Sequence, residues 1–304
     1  MLRYRIRASH LVPFTALALA IAAGCSNDET GSNDSLQAAA PNTDKKPPTT
    51  GGGDSGNTTP PIETTDRDAD VPEKTGCALT PSADFCDDFD SPDALTEGKT
   101  KWDFVERSEQ PVATLSSDRA VSAPSSLLSQ IIDGTTPGAK FAKTITKSNF
   151  TEATWDYDVY FENPGQNDGY FLDDFQFADA DSFGFRIVVF AKDGAIDYAR
   201  VEHNAAGRDA EFGDRFPEGT ITLGKWLHFK QTAKFTFADD GGTAGNKVSY
   251  ELDVDGTPVW TKEYAGATRA QAAFARIAGL AYVFRKDLSA GLKINWDNQV
   301  LVLK

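Results

Sequence analysis

The chain is poor in several residue types, and each shortage excludes something. Its 304 residues include only three cysteines, three histidines and one methionine. No Cys or His pair has the spacing of a zinc site, so a structural zinc domain is excluded. Beyond the first seven residues there is no run of Lys or Arg, and the formal net charge is -15. A chain this acidic lacks the basic footprint of a nucleic-acid binder, and it is repelled by an anionic lipid surface. G-x-S-x-G, phosphate-loop and dinucleotide fingerprints are all missing. Helical periodicity is nearly missing too. The one candidate is a short segment in a crossover, "TRAQAAF", from Thr268 to Phe274.

The longest apolar run is "LVPFTALALAIAAG", Leu11 to Gly24. It falls short of the roughly 20 apolar residues that a membrane span needs. With Arg3, Arg5 and Arg7 ahead of it, it reads as an export signal over residues 1–25. The run ends in "AAGC", which resembles the lipobox of bacterial lipoproteins and departs from it at Ala22, where that family usually carries Leu. The resemblance implies that Cys25 becomes the lipidated first residue of the mature chain; ordinary signal cleavage near Ala23 is the alternative. Several acyl chains on one Cys would anchor the protein firmly, and the membrane would be touched through that anchor only. Ser26 after the Cys implies the outer membrane or cell surface.

Residues 26–76 are Ser, Thr, Pro, Gly, Asp and Asn with almost no large apolar side chains. Such a stretch cannot bury enough surface to offset the entropy of ordering it. It is expected to be a disordered tether, spanning on the order of 40 Å as a coil. The remaining segment, 77–304, has the length of one all-β domain. Cys77 and Cys86 are close in sequence and in an oxidising setting, so they are expected to pair.

Alternation dominates this last segment. "ATWDYDVYF" sets Trp155, Tyr157, Val159 and Phe161 on one face and Thr154, Asp156, Asp158 and Tyr160 on the other. "WLHFKQTAKFTF" sets Leu227, Phe229, Ala233, Phe235 and Phe237 inward and Trp226, His228, Lys230, Thr232, Lys234 and Thr236 outward. "KVSYELDV" sets Val248, Tyr250, Leu252 and Val254 inward. "FGFRIVVF" is more continuously apolar and reads as a strand covered on both faces. Further strands are expected near 112–116, 125–132, 139–146, 171–178, 196–203, 258–264, 276–284 and 292–303. "NPGQNDG", "KDGA" and "ADDGGTAGN" punctuate them as turns. Many short strands with almost no helix predict an antiparallel sandwich or barrel.

The order of "FCDDFD", Trp102, "AVSAPSSLL", "GKWLHF", "YELDVDGTPVW" and "INWDNQVLVLK" resembles the concanavalin A-like lectin/glucanase jelly roll in its laminin-G-like form. The resemblance implies a two-sheet antiparallel sandwich with one concave sheet. It also implies a polysaccharide or envelope glycan as partner, with calcium as the one possible cofactor. A monomer is expected.

The acids of "YELDVDGTPVW" can be read in two ways. In one glycanase branch of that fold, an E-x-D-x-(x)-E strand supplies nucleophile, tuning acid and proton donor, and Glu251, Asp253 and Asp255 would take those roles. Retaining chemistry needs two carboxyls about 5–5.5 Å apart. Yet Asp255 is one methylene short, and it opens "DG", a strong hairpin signal. In the hairpin reading Glu251 faces Trp260 and lies opposite Lys234, with Thr232 opposite Asp253. A non-catalytic module binding a glycan through Trp226, Lys234, Glu251 and Trp260 is the expectation. A polysaccharide-cleaving enzyme and a structural or adhesive protein with a protein partner are the alternatives. Asp173, Asp174, Asp179 and Asp181 are the candidate calcium ligands. Trp102, Trp155 and Trp296 are expected in the core, and His228 reads as a surface residue.

Overall fold

The computed structural model describes residues 76–105, 113–131, 140–166, 169–177, 183–204, 211–238, 244–283 and 291–304. Cys25, Asp179 and Asp181 lie outside these described residues. Those described all fall within the unit Asp66–Lys304.

The described residues form fifteen strands. The first five are β1 (Phe85–Asp87), β2 (Phe104–Val105), β3 (Ala113–Ser116), β4 (Ser126–Gln130) and β5 (Lys140–Thr146). The middle five are β6 (Glu152–Asn163), β7 (Gly169–Gln176), β8 (Gly184–Lys192), β9 (Ala195–Asn204) and β10 (Glu211–Arg215). The last five are β11 (Trp226–Thr236), β12 (Lys247–Val254), β13 (Thr257–Ala265), β14 (Phe274–Val283) and β15 (Lys293–Leu303). An eight-stranded sheet runs β13-β12-β11-β6-β15-β4-β3, with β1 added alongside β15. A seven-stranded sheet runs β10-β9-β8-β7-β14-β5-β2. Every pairing is antiparallel. The chain switches sheets between β1, β2 and β3, between β4, β5, β6 and β7, again before β11, and again around β14. This is a two-sheet antiparallel sandwich, one of the two architectures that the alternation predicts and the jelly roll that the resemblance implies.

The alternation also predicts which face is buried. Trp155, Tyr157, Val159 and Phe161 of β6 are fully inside, as are Leu227, Phe229 and Ala233 of β11. Trp102, Trp155 and Trp296 are buried as expected. Phe141 packs edge-on against Trp102 at 4.7 Å and Trp296 at 5.4 Å, joining the two sheets at one end. Cys77 and Cys86 are disulfide-bonded. The bond ties the segment before β1 to β1 itself, beside β15.

The crossover helix and the strand register differ from the expectations. The expected helix over 268–274 shrinks to one 3₁₀ turn, Gln271–Ala273. It keeps a reciprocal cap: Thr268 N donates to Gln271 Oε1 at 2.7 Å, and Gln271 N donates to Thr268 Oγ1 at 3.3 Å. Phe274 then enters β14 in extended conformation, which ends the turn. The register between β11 and β12 is the second difference. Thr232 lies opposite Glu251, and Lys230 lies opposite Asp253. Lys234 lies opposite Ser249 and does not face Glu251. A slip of two residues leaves every side chain on its own face, so an alternating pattern fixes the face but not the register.

The core holds a polar chain that the alternation does not reveal. Tyr250 Oη donates to Gln231 Oε1 at 2.6 Å, and Gln231 Nε2 donates to Asp173 Oδ2 at 2.5 Å. Tyr157 Oη also donates to Asp173 Oδ2, and Ile187 N donates to Asp173 Oδ1 at 2.7 Å. Tyr157, Gln231 and Tyr250 belong to the eight-stranded sheet, Asp173 and Ile187 to the seven-stranded one. A buried polar group that left any of these bonds unmade would be costly, and here the chain is satisfied.

Candidate functional site

The outer face of the eight-stranded sheet carries most of the residues singled out by sequence, but it does not gather them. Glu251 and Asp253 point outward from β12 beside Lys230, Thr232 and Lys234 of β11. With Glu152, Thr154 and Asp156 of β6 they line a shallow polar cleft of about 450 Å³. Trp226 shares this face, six residues along β11 from the position opposite Glu251, or about 20 Å of strand. It packs against Tyr160 at 5.6 Å.

Trp260 is on the other side. A bulge between Leu252 and Asp253 pairs Leu252 with Trp260 and Glu251 with Thr261. Pro258, which has no N–H for the ladder, lies opposite Asp253 at that bulge. The indole therefore turns toward the core, 5.6 Å from the Tyr250 ring, and covers Gly213. Trp226, Lys234, Glu251 and Trp260 do not form one binding surface.

The catalytic arrangement does not assemble either. Asp255 and Gly256 both have positive φ, 51° and 73°, the conformation of a tight type I′ hairpin turn. The Asp255 carboxylate accepts His228 N at 2.9 Å and pairs with Lys225 Nζ at 3.3 Å. It sits about 13 Å along the strand direction from Glu251, well beyond the 5–5.5 Å of a retaining pair.

His228 is more than a solvated surface residue. Its Nδ1 lies 2.9 Å from Asp158 Oδ1 and its Nε2 lies 3.5 Å from Asp156 Oδ1. These two hydrogen-bonding carboxylates hold the imidazole in its charged form and push its pKa up to about 10.

The calcium candidates Asp173 and Asp174 point to opposite sides of β7. Asp173 is the buried acceptor of the core chain described above. Asp174 lies on the outer face and pairs with Arg186 at 3.1 Å. Two carboxylates facing opposite ways cannot share an ion. Among the described residues no cluster of three His, Cys, Asp or Glu side chains is arranged to hold a metal.

The most distinctive surface is one that alternation alone does not single out. It is the outer face of the seven-stranded sheet. Strand register places Arg186 opposite Glu202, Val188 opposite Arg200, and Phe190 opposite Tyr198. Phe212 and Arg215 of β10 extend these rows, and Phe171 of β7 and Arg276 of β14 flank them. The guanidinium groups lie on aromatic rings. Arg200 sits 3.9 Å from the Phe212 ring centroid and 5.3 Å from that of Phe190. Arg215 sits 3.8 Å from Tyr198, and Arg186 sits 5.1 Å from Phe171.

Rings that carry cations in this way hold the guanidinium plane while its N–H edge stays available to acceptors. Arg186 is neutralised between Asp174 and Glu202, the second at 3.8 Å. Burial raises the pKa of Asp174, and Arg186 opposes that rise. Arg200, Arg215 and Arg276 have no ion pair within 4 Å among the described residues, and Arg200 Nε is buried with no hydrogen-bond partner there. A net-acidic protein thus presents a basic, aromatic-lined face. Beside it Ala142, Ala278 and Leu280 make a small apolar cluster with Phe171. A signal for this face exists in the sequence: "RIVVF" and "YARVE" alternate Arg with aromatic or apolar residues across the "KDGA" turn. The apolar run in β8 masks it.

No family model and no curated protein matches this chain. Several solved structures have a similar course. Alginate lyase Aly36B superposes with a TM-score of 0.46 at 17% identity, covering 66% of this chain and 86% of that one. Endo-beta-1,4-glucuronan lyase from the fungus Trichoderma reesei gives 0.46 at 13% identity, covering 73% and 96%. Alginate lyase vAL-1 from Chlorella virus gives 0.42 at 11% identity, covering 70% and 98%. Likenesses this distant assign no activity to the chain.

Proposed function

We propose that the folded unit binds an acidic glycan through the outer face of its seven-stranded sheet and does not cleave it. The observation that carries this is the set of arginines laid on rings, Arg200 on Phe190 and Phe212 and Arg215 on Tyr198. Guanidinium forks match carboxylates in geometry and charge. Two acids on this face, Asp174 and Glu202, are engaged by Arg186, and Asp197 and Glu218 lie at its edge beside Tyr198 and Arg215.

The proposal places this module on a tethered lipoprotein. Residues 1–25 act as the export signal, Cys25 carries the lipid, 26–76 form the tether, and the outer membrane or cell surface is the location. The support is the sequence pattern alone. Metabolic labelling with a fatty acid that disappears in Cys25→Ser tests it.

Affinity electrophoresis of the purified protein tests the glycan reading. Polygalacturonate in the gel is expected to retard it, and dextran, which is neutral, is not. Retardation should weaken as salt is raised. Arg200→Ala together with Arg215→Ala should weaken it at least tenfold. Retardation by neither polymer sinks the reading. New reducing ends or unsaturated ends in the polymer overturn its non-catalytic part.

A further inference from the structure

Two edge strands, one from each sheet, meet at the margin that carries part of the arginine face. β10 ends the seven-stranded sheet and β13 ends the eight-stranded one. Each contains an extra residue. Phe212 lies opposite Glu202 and Arg215 opposite Arg200, so three steps along β10 match two along β9. Pro258 lies opposite Asp253 and Trp260 opposite Leu252, so two steps along β13 match one along β12. An extra residue reverses the side to which the following side chains point.

The two reversals fit together. Arg200 and Glu202 share the outer face of β9, opposite Val188 and Arg186. The extra residue in β10 lets Phe212 and Arg215 share that face with them, although an odd number of steps separates the two. Phe212 then lies on Arg200 at 3.9 Å, and Arg215 lies on Tyr198 at 3.8 Å. The extra residue in β13 turns Trp260 inward, and its indole meets β10 at Gly213, inside the bulge. A Cβ on Gly213 would stand 2.6 Å from Trp260 Nε1 and 2.8 Å from Trp260 Cε2, so only glycine permits this approach. Tyr250 and Tyr264 back the indole, with ring centroids 5.6 and 6.4 Å away. β10 is five residues long, and four of them are exposed. The ion pair between Glu211 and Lys262, at 3.1 Å, also joins the two edges, but it is solvent-exposed and holds weakly.

We propose that Trp260 is a positioning residue for the arginine face. By packing on Gly213 it holds the bulge of β10, and the bulge keeps Phe212 on Arg200 and Arg215 on Tyr198. The indole touches no ligand; it acts from the other sheet, through the backbone of β10. Its part in glycan binding rests on the glycan reading above, whereas the positioning of the two arginines does not.

The test has two arms, and the first needs no glycan. Side-chain protons that lie on an aromatic ring are shifted upfield in NMR, and those of Arg200 and Arg215 are expected to be so in the purified protein. Gly213→Ala and Trp260→Ala should each return them at least half way to the values of a free arginine. Gly213→Ala combined with Trp260→Phe, a smaller ring facing the added methyl, should restore most of the upfield shift. A melting temperature that falls while the arginine shifts stay in place overturns the proposal, because the indole would then only fill space. A double variant no better than Gly213→Ala alone overturns it too. The second arm is affinity electrophoresis on polygalacturonate. Gly213→Ala should weaken retardation about fivefold or more, as loss of part of a charge-assisted contact would, and the double variant should recover it. If the wild type is not retarded, the glycan reading falls and the arginine shifts still decide the positioning. If Gly213→Ala displaces the arginines and retardation is unchanged, the positioning stands and the glycan does not use them.

Discussion

Gln231 donates from its Nε2 to Asp173 Oδ2 at 2.5 Å, and this bond links the middle of one sheet to the middle of the other. Asp173 also accepts Tyr157 Oη and Ile187 N, so one carboxylate collects three donors in the core. Its removal would strand Tyr157 Oη and Ile187 N and leave Gln231 Nε2 with only its 3.0 Å bond to Tyr157 Oη. Asp173→Ala is expected to destabilise the fold by about 3–5 kcal/mol, through buried donors left unpaired. Chemical denaturation measures it, and a cost below about 1 kcal/mol would show that the chain does not hold the sheets.

The same carboxyl sets a pH dependence. Burial outweighs its donors and pushes the pKa of Asp173 up to about 7. Burial does the same to Asp297, also to about 7, against donors from Val121 and Ser122. A carboxyl whose pKa is higher in the folded than in the unfolded state binds its proton more tightly when folded. Its contribution is therefore full below about pH 4 and is lost as pH rises through about 7. Stability is expected to fall between about pH 5 and 8, and Asp173→Asn should flatten that slope. A slope unchanged in the variant would assign the effect to other groups.

His228 acts in the same direction at higher pH. Its pKa is raised to about 10 by hydrogen bonds to Asp156 and Asp158. The imidazolium therefore supports the fold fully below about pH 6.5, and that support is lost as pH rises through about 10. The melting temperatures of wild type and His228→Asn should differ at about pH 6 and converge above about pH 10. A difference that persists at high pH would mean that the ring contributes by packing.

Gly279 offers a steric test of the core. A Cβ there would collide with the Phe141 ring, which is itself wedged between Trp102 and Trp296. Gly279→Ala should cost about 1–3 kcal/mol by overpacking. A neutral result in a thermal melt would mean that Phe141 has room to swing aside.

Glu251 separates the two faces of the molecule functionally. It is on the outer side of the eight-stranded sheet, away from the arginine rows. Glu251→Gln should leave polygalacturonate retardation unchanged and shift stability by less than about 0.5 kcal/mol. Loss of retardation would move the glycan site to the sheet that carries the acids.

Face assignment is readable from sequence, because a period of two decides which side chains are buried. Register is not, because sliding β12 by two residues along β11 preserves that period. Alternation misplaces Trp260 for a related reason: the bulge in β13 just after Pro258 turns the parity of that strand over, and no alternation count includes an extra residue. Gln231 is invisible among inward apolar neighbours, since its acceptor is on a strand more than fifty residues earlier. The arginine face needs the pairing of β8 with β9, which the "KDGA" turn supplies only once both strands are read as half-exposed.

Asp173 and Asp174 are consecutive, yet one is in the core and the other meets solvent-side Arg186. Alternation along a strand separates these two, and the irregular register of β7 between Phe171 and Phe175 decides which of them is inside, because Leu172 and Asp173 are both turned inward there. That strand is in effect two half-strands out of phase. Closing the irregularity by deleting one residue would not merely shorten β7. It would exchange inside for outside along one half, sending a carboxylate that staples two sheets into the place of one that steadies an arginine. A single position in the count of residues thus governs both the interior scaffold and the charged exterior.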